Sequence, residues 1–391
     1  MTKIPTLFRR SQQRAEMRFT IAPKIVPPER LLPVSCAASM TTPTPALHPL
    51  RPVWFYDAHH SVHTLESSAA QLVVPVRRTQ LVALDPVTGQ ERWRRRHAQV
   101  RWNELHLTPG RVSFLTGTDR LVTLDADTGE SQWTAVTLPW SGWLCGTADV
   151  LVTGEWRHST PLQAFDTATG ERRWMTRLPH RPRRTALYAP LNALMTLLDD
   201  HVTCHSLVDG TLIAELAFPG LLDTPVSDGQ FRGAFGTPDR AWLERGAGDR
   251  VLMLSGPDLR LEERHLGREP VTLRLDDQGG DVFFEDTERQ LCVYDVARDV
   301  TTVLGPLDHH WRNQILAVRL PDRTVLAGTS MGMLVRFAPE GGVLERVRVG
   351  KRVLTPLLVM GDVVCFGTQS GQVRAWTWTE RPLLGVAGAT A

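Results

Sequence analysis

The stretch that decides the fold is Leu81-Val-Ala-Leu-Asp-Pro-Val-Thr-Gly-Gln-Glu-Arg-Trp93, because the chain repeats it twice more. The second copy is Leu121-Val-Thr-Leu-Asp-Ala-Asp-Thr-Gly-Glu-Ser-Gln-Trp133. The third is Leu162-Gln-Ala-Phe-Asp-Thr-Ala-Thr-Gly-Glu-Arg-Arg-Trp174. Self-similarity at a fixed spacing indicates a repeat architecture, in which every copy builds one structural unit.

Fainter copies continue the pattern to the end of the chain. The residues in phase with the repeated Asp are Asp85, Asp125, Asp166, Ser206, Ser255, Asp295, Ala338 and Thr377. They follow one another at steps of 40, 41, 40, 49, 40, 43 and 39 residues. Each unit also contains further β-rich runs upstream of its marker, such as Gln71–Val76. Four strands in a unit of about forty residues predict an all-β, eight-bladed propeller of four-stranded antiparallel blades.

Each residue that recurs in the three copies has a physical reason to be there. The Asp carboxylate accepts hydrogen bonds from amides of the following turn, and Gly supplies the positive φ that a tight turn needs. The Trp ring packs between neighbouring units. We therefore assign structural roles to the repeated residues Asp85, Gly89, Trp93, Asp125, Gly129, Trp133, Asp166, Gly170 and Trp174.

Trp54 is in phase with the repeated tryptophans although no unit precedes it. It stands 31 residues before Asp85, and Trp93 stands 32 residues before Asp125. We predict that residues 51–57 form the outermost strand of the last blade, built from residues 353–378. This pairing would close the ring, so that the last blade would not end in an unpaired edge strand.

The Leu-x-Ala-Leu-Asp-x-x-Thr-Gly-x-x-x-Trp pattern resembles the repeat of pyrroloquinoline-quinone-type propellers. That family includes quinoprotein dehydrogenases and the propeller subunit of the outer-membrane β-barrel assembly machinery, to which the chain is similar. The resemblance covers residues 51–391 and implies the propeller fold. Function varies within this fold, so it has to be argued from a site.

Composition excludes several classes of protein. The 391 residues carry 44 Lys and Arg against 42 Asp and Glu, a net charge of +2, unlike a histone-like or strongly acidic protein. The five cysteines form no CxxC pair, which argues against a zinc site or disulfide framework. No apolar run is long enough for a transmembrane helix. Residues 1–50 read as a disordered or misannotated leader without a usable export signal, so we predict a cytoplasmic protein, with the periplasm as the alternative.

No catalytic, cofactor-binding or metal site is predicted. By the resemblance, quinone-dependent enzymes would have adjacent cysteines and a calcium site, and neither pattern is present in the sequence. His59-His60 and His309-His310 are adjacent, so the members of each pair point to opposite sides of a strand and do not chelate together. We therefore expect no enzyme and no cofactor.

The remaining signal is a set of basic and aromatic residues at the connections between units, a composition that binding hot spots favour. The candidate partner-binding residues are Arg94, Arg95, Arg96, Arg101, Trp140, Trp143, Arg181, Arg183, Arg184, His309, Trp311, Arg312, Lys351 and Arg352. We expect them on one face, with Asp85, Asp125 and Asp166 on the other. The sequence thus predicts a monomeric, non-catalytic scaffold for a protein partner, with an acidic or other anionic partner favoured. A nucleic-acid-binding propeller module is one alternative, and a quinone-dependent dehydrogenase is another.

Overall fold

The alternating apolar runs of the repeats form short strands throughout a computed structural model of the chain. It describes residues 48–380, except 69, 78, 98, 156–160, 181, 183, 199–200, 218–235, 238–239, 245–248, 276–280 and 308–315. Within these ranges the only helical segment is a 3₁₀ turn, Ala189–Leu191. No helix in the described part of the chain is long and apolar enough to cross a membrane.

The strands associate into four-stranded antiparallel sheets, and all but one of these are formed by four strands that are consecutive in the chain. Sheet 1 contains β2 (Glu66–Ser67), β3 (Leu72–Val76), β4 (Gln80–Leu84) and β5 (Glu91–Arg96). Sheet 2 contains β6 (Val100–Thr108), β7 (Arg111–Thr116), β8 (Arg120–Asp125) and β9 (Ser131–Val136). Sheet 3 contains β10 (Ser141–Gly146), β11 (Val150–Glu155), β12 (Leu162–Asp166) and β13 (Arg172–Thr176). Sheet 4 contains β14 (Arg184–Tyr188), β15 (Ala193–Leu197), β16 (His201–Ser206) and β17 (Leu212–Ala217).

The second half of the chain repeats the arrangement. Sheet 5 contains β18 (Gly236–Thr237), β19 (Arg240–Glu244), β20 (Arg250–Ser255) and β21 (Arg260–His265). Sheet 6 contains β22 (Pro270–Leu275), β23 (Asp281–Asp286), β24 (Gln290–Asp295) and β25 (Val300–Pro306). Sheet 7 contains β26 (Leu316–Arg319), β27 (Val325–Gly328), β28 (Met333–Phe337) and β29 (Val343–Arg348). Sheet 8 contains β30 (Leu358–Met360), β31 (Val363–Gly367), β32 (Gln372–Thr377) and β1 (Arg51–Asp57).

Strand β1 is the exception to the local order. It pairs antiparallel with β32, in a register that runs from Arg51 opposite Thr377 to Asp57 opposite Gln372. The backbone amide of Leu50 donates to Glu345 Oε2 of β29 (2.9 Å), and the Leu50 side chain is buried. Leu50, the last residue of the predicted leader, therefore packs against sheet 7. Residues 1–47 lie outside the described residues.

The hydrophobic core is divided among the contacts between successive sheets. The middle strands are buried along their length, as in β15, whereas the fourth strands alternate between exposed and partly buried residues, as in β9. Each hydrophobic cluster of the described residues draws its members from two successive sheets. Sheet 8 contributes to one cluster with sheet 7 and to another with sheet 1. The fold is thus an all-β assembly of antiparallel four-stranded sheets, as in a β-propeller.

Hydrogen bonds between loops define two faces. The junction face comprises the connections between sheets and the hairpins between the second and third strands. Backbone bonds join the two sets, from His97 to Thr79, Thr137 to Asp119 and Leu266 to Asp249. The turn face comprises the other two hairpins of each sheet, which are joined from Ala126 to Gly110, Thr167 to Asp149 and Leu207 to Asn192. The repeated Asp residues all lie on the turn face.

Candidate functional site

The repeated Asp organises the hairpin between the third and fourth strands. Asp85 Oδ1 accepts hydrogen bonds from the amides of Val87 (2.9 Å) and Thr88 (2.8 Å) and from Thr88 Oγ1 (3.0 Å). Although partial burial opposes ionisation, the bonds from Thr88 hold the pKa of Asp85 below its usual range. Asp166 accepts the same pair of amide bonds, and the Arg173 guanidinium lowers its pKa to about 2. These carboxylates are occupied within their own turns, which is a structural use.

The repeated Trp and Gly dock one sheet onto the next at the four interfaces from sheet 8 through sheets 1, 2 and 3 to sheet 4. Trp93 of sheet 1 donates from Nε1 to the carbonyl of Ala126 in the turn of sheet 2 (2.7 Å). A Cβ on Gly129 of that turn would lie 2.7 Å from the Trp93 ring, so the ring fits only because Gly has none. The same donor bond and the same close approach recur for Trp54 with Pro86 and Gly89, for Trp133 with Thr167 and Gly170, and for Trp174 with Leu207 and Gly210. Trp93 and Trp174 are buried, and Trp133 is partly exposed.

The arginines after Trp93 do not lie in a junction loop. Arg94, Arg95 and Arg96 belong to strand β5, where they pair with Val82, Leu81 and Gln80. Arg94 forms an ion pair with Glu91 (2.7 Å), while Arg95 donates to the carbonyls of Thr128 (2.7 Å) and Gly129 (3.1 Å) on the turn face of sheet 2. The prediction that these residues form part of a basic junction surface is therefore wrong for Arg94 and Arg95. The reason is that the strand continues through them and directs Arg95 towards the neighbouring sheet.

Arg101 and Trp140 do come together on the junction face. Asp119, in the hairpin between β7 and β8, accepts from Arg101 Nη2 (3.2 Å) and from the backbone amide of Trp140 (3.1 Å) through the same oxygen. Arg101 also donates through Nη1 to the carbonyl of Ser141. Trp140 adopts a left-handed backbone with φ of 67°, and its side chain is 50% exposed. A large aromatic side chain is therefore half exposed on a backbone that the Asp119 hydrogen bond fixes. We call Arg101, Asp119 and Trp140 the Trp140 site.

Trp143 is a core residue, which corrects its assignment as a partner-binding residue. It is 8% exposed and belongs to the cluster between sheets 3 and 4. A Cβ on Gly154 of the neighbouring strand would lie 2.6 Å from its ring. Successive strand residues point to opposite sides, and Trp143 points towards sheet 4.

The other candidates are spread along the chain. Lys351 is exposed and Arg352 is partly buried in the connection between sheets 7 and 8, where the Arg352 carbonyl accepts from the Gln369 amide (2.8 Å). Arg184 begins strand β14. The remaining candidates lie outside the described residues: Arg181, Arg183, His309, Trp311 and Arg312.

Sequence reasoning missed the carboxylates that face the junction arginines. Asp119 binds Arg101, and the buried Asp286 binds Arg268 (2.5 Å), each from a hairpin between second and third strands. A signal was present, since both hairpins carry an Asp beside the end of an apolar strand. The junction face thus carries charges of both signs.

The residues of the chain do not fit a quinone cofactor. The sequence has no adjacent cysteines, and the described ones, Cys145, Cys204, Cys292 and Cys365, lie in four different sheets. Burial raises the pKa of Cys204, Cys292 and Cys365 to about 12, so these thiols are inert packing groups at neutral pH. We derive no chemistry through a quinone.

Comparisons with known proteins agree with the repeat pattern. Residues 51–217 match the PQQ_2 family model, described as outer membrane protein assembly factor BamB. The resemblance to quinone-type propellers that the repeats predict is thereby confirmed. Among curated proteins, none matches the chain.

Solved structures support the fold. BamB from Moraxella catarrhalis superposes with a TM-score of 0.62 at 12% identity, covering 84% of this chain and all of that one. The computationally designed protein Ika8 gives 0.61 at 14% identity, covering 82% of this chain and 97% of its own. Quinohemoprotein alcohol dehydrogenase from Comamonas testosteroni gives 0.57 at 12% identity, covering 85% and 77%. One of these neighbours is by name an enzyme, so the fold alone does not decide between catalysis and binding.

Proposed function

We propose that this protein is a non-catalytic, eight-bladed propeller that binds a protein partner on its junction face, around the Trp140 site. The observation that carries the proposal is the exposed Trp140, whose backbone is fixed by Asp119. The match of residues 51–217 to the BamB family model supports a scaffold of this type.

The blade number and the closure of the ring are part of the proposal. Sheets 1 to 8 would be the blades, and β1 would join the last blade to the first. Two features support this. Trp54 of β1 donates to Pro86 of sheet 1 (3.1 Å), as Trp93 of sheet 1 donates to sheet 2. The cluster that includes Val363 and Cys365 of sheet 8 also includes Leu72 and Val82 of sheet 1.

The energetics of Trp140 favour a binding role. A bulky residue in the left-handed region is unfavourable by about 1–2 kcal/mol, and half of the side chain gains nothing from burial. Aromatic anchors beside an Arg are the residues that most often dominate binding energy at interfaces. A partner that covers Trp140 would bury this ring while the backbone is already in place, so little ordering cost would be added.

A protein is the better partner than a nucleic acid. Arg101, the candidate arginine of the Trp140 site, is engaged in an ion pair with Asp119. Nucleic-acid binding depends on cations that are free to neutralise phosphates. A polar rim of paired charges around one exposed aromatic side chain is typical of a protein interface.

Site-directed photocrosslinking in the native host tests the proposal. A benzophenone amino acid replaces Trp140 in one strain and Val87, an exposed residue of the turn face, in a matched control strain. We expect one dominant protein adduct from position 140 that is absent from position 87. Equal labelling at both positions, or no adduct at position 140, would contradict the proposal. Fractionation of the same cells tests the predicted cytoplasmic location.

A further inference from the structure

A cleft of about 400 Å³ separates the fourth strand of sheet 2 from the last hairpin of sheet 3. It is lined by Ala135, Val136, Thr137, Leu138, Phe165, Gly170 and Arg172. Val136 is 68% exposed, so one apolar wall faces solvent. Leu138 accepts a hydrogen bond from Ser141, the residue after Trp140, so the cleft adjoins the Trp140 site.

The cleft occupies a place that a side chain fills at two of the other three interfaces where a Trp packs against a turn Gly, those between sheets 1 and 2 and between sheets 3 and 4. The filling residue stands two positions after the Trp, on the same side of the strand. Arg95 caps the turn carbonyls of Thr128 and Gly129, and Thr176 Oγ1 donates to the carbonyl of Gly210 (2.8 Å). At the interface of sheets 2 and 3 this residue is Ala135, whose methyl group is too short to reach the turn. The space is therefore left open.

The opposite wall of the cleft carries a cation. Phe165 pairs with Arg172, while the adjacent Ala164 pairs with Trp174, so the bulge at Arg173 turns Arg172 away from Trp174 and towards sheet 2. Arg172 is exposed and has no ion pair among the residues that the structure describes. The residue at the same position in sheet 1 is Glu91. It pairs with Leu84 across an equivalent bulge, as Arg172 pairs with Phe165.

The Glu91 position indicates which chemistry completes such a site. There a carboxylate accepts from Tyr56 Oη (3.3 Å) and forms an ion pair with Arg94 (2.7 Å). A guanidinium and a carboxylate thus lie together at the interface of sheets 8 and 1. At the interface of sheets 2 and 3 the guanidinium of Arg172 is present and no described side chain supplies the carboxylate.

We propose that the cleft between sheets 2 and 3 binds an extended acidic segment of a protein partner, whose carboxylate pairs with Arg172. Apolar side chains next to the acid would pack on Val136, Leu138 and Phe165. The inference rests on the proposed scaffold function and names the chemistry of the partner. The acidic preference thus comes from one arginine of the cleft rather than from the junction arginines that the sequence emphasises.

Fluorescence polarisation with a short labelled peptide, Gly-Val-Glu-Val-Gly, tests the inference on the full-length protein. Peptides with Gln or Lys in place of Glu are the matched controls. We expect the Glu peptide to bind at least about tenfold more tightly than either control, in a salt-sensitive manner. R172Q should weaken its binding by a similar factor. A135R, which copies Arg95 into the cleft, should abolish binding while the melting temperature stays at or above that of the wild type.

The Trp140→Ala variant separates this inference from the proposed function. It should bind the Glu peptide as the wild type does, although it removes the aromatic anchor on the junction face. Absence of Glu-peptide binding at millimolar concentration overturns the acidic-segment inference and leaves the crosslinking result at position 140 unaffected. Binding that ignores both R172Q and A135R also overturns it. Tighter, A135R-sensitive binding of a single-stranded oligonucleotide would assign the cleft to nucleic acid instead.

Discussion

Two regions of the molecule differ in how successive sheets contact each other. The four interfaces from sheet 8 through sheets 1, 2 and 3 to sheet 4 share one docking contact, between a Trp and a turn Gly. The four interfaces from sheet 4 through sheets 5, 6 and 7 to sheet 8 use other contacts. In the first region, every fourth strand places a Trp against a Gly of the next turn. The indole donates to the carbonyl that follows the Asp-equivalent residue, at 2.7–3.1 Å across the set. We call this region the Trp-docked half.

In the second region, the fourth strands β17, β21, β25 and β29 contain no Trp. Each interface has its own contacts. Tyr188 Oη donates to the Gly256 carbonyl (2.8 Å) between sheets 4 and 5, and Trp242 meets Tyr294 edge-on between sheets 5 and 6. The Gly342 amide donates to the Leu304 carbonyl (2.8 Å) between sheets 6 and 7.

This difference explains why the repeat is easy to recognise only in the first half of the sequence. A shared Trp–Gly contact requires the same residue types at the same spacing in every unit, whereas apolar packing accepts many combinations of side chains. The family model matches residues 51–217, from β1 to β17, which is the stretch that spans the Trp-docked half.

Removal of β1 should break the Trp-docked half most severely. A variant that begins at residue 58 loses Trp54 and uncovers β32, and we expect it to lose more than about 5 kcal/mol of unfolding free energy, the scale of a whole domain's net stability. A variant that begins at residue 48 is the control and should unfold like the full chain. Denaturant unfolding measures both. Equal stability of the two variants would refute closure by β1.

Trp93→Ala should have the next largest effect. Loss of a buried Trp destabilises by about 3–5 kcal/mol, because a cavity forms and the Ala126 carbonyl loses its donor. Trp140→Ala, at an exposed position, should change the free energy of unfolding by no more than about 0.5 kcal/mol. A loss below about 1 kcal/mol for Trp93→Ala would mean that the docking contact is dispensable.

A pair of glycine variants isolates the close approach of the ring. Gly129 and Gly110 have nearly the same φ, +71° and +74°, but a Cβ at Gly110 meets nothing within 4 Å. Gly110→Ala should cost about 1 kcal/mol for the left-handed backbone alone. Gly129→Ala should cost about 1–3 kcal/mol more, because its methyl group collides with Trp93. Calorimetry of both variants tests the difference, and equal losses would remove the ring contact from the explanation.

Acid should weaken the Trp-docked half, because it contains the buried His205 and the partly buried His106. Burial lowers the pKa of His106 and of His205. Below pH about 6.5 the unfolded chain binds protons that the folded chain does not, so stability falls as the pH falls towards the folded pKa values. His205→Leu, which installs the residue found at the equivalent positions 84 and 124, should reduce this slope. Melting temperatures between pH 7.5 and about 5 measure it. An unchanged slope would exclude His205 as a contributor.

Much of the fold could be predicted from the repeats, and much less of the candidate site. The period placed each Asp in a turn and put Trp54 in phase with Trp93, since hairpin geometry is local. The surface positions of Arg95 and Trp143 were predicted wrongly. Both residues lie in strands, and their side chains face a neighbouring sheet. Composition predicts neither where a strand ends nor which of its side chains point towards the next sheet.

The sequence by itself determined the repeated strand–turn–strand unit, because backbone turns depend on residues a few positions apart. It also determined which residues join neighbouring units in the Trp-docked half. Only the tertiary structure decided that Asp119 holds Arg101 and Trp140, and that Ala135 and Arg172 border an open cleft. Those groups come from different units and meet through side chains of different length. Their relation is set by the packing of one sheet on the next, which no spacing within a single repeat encodes.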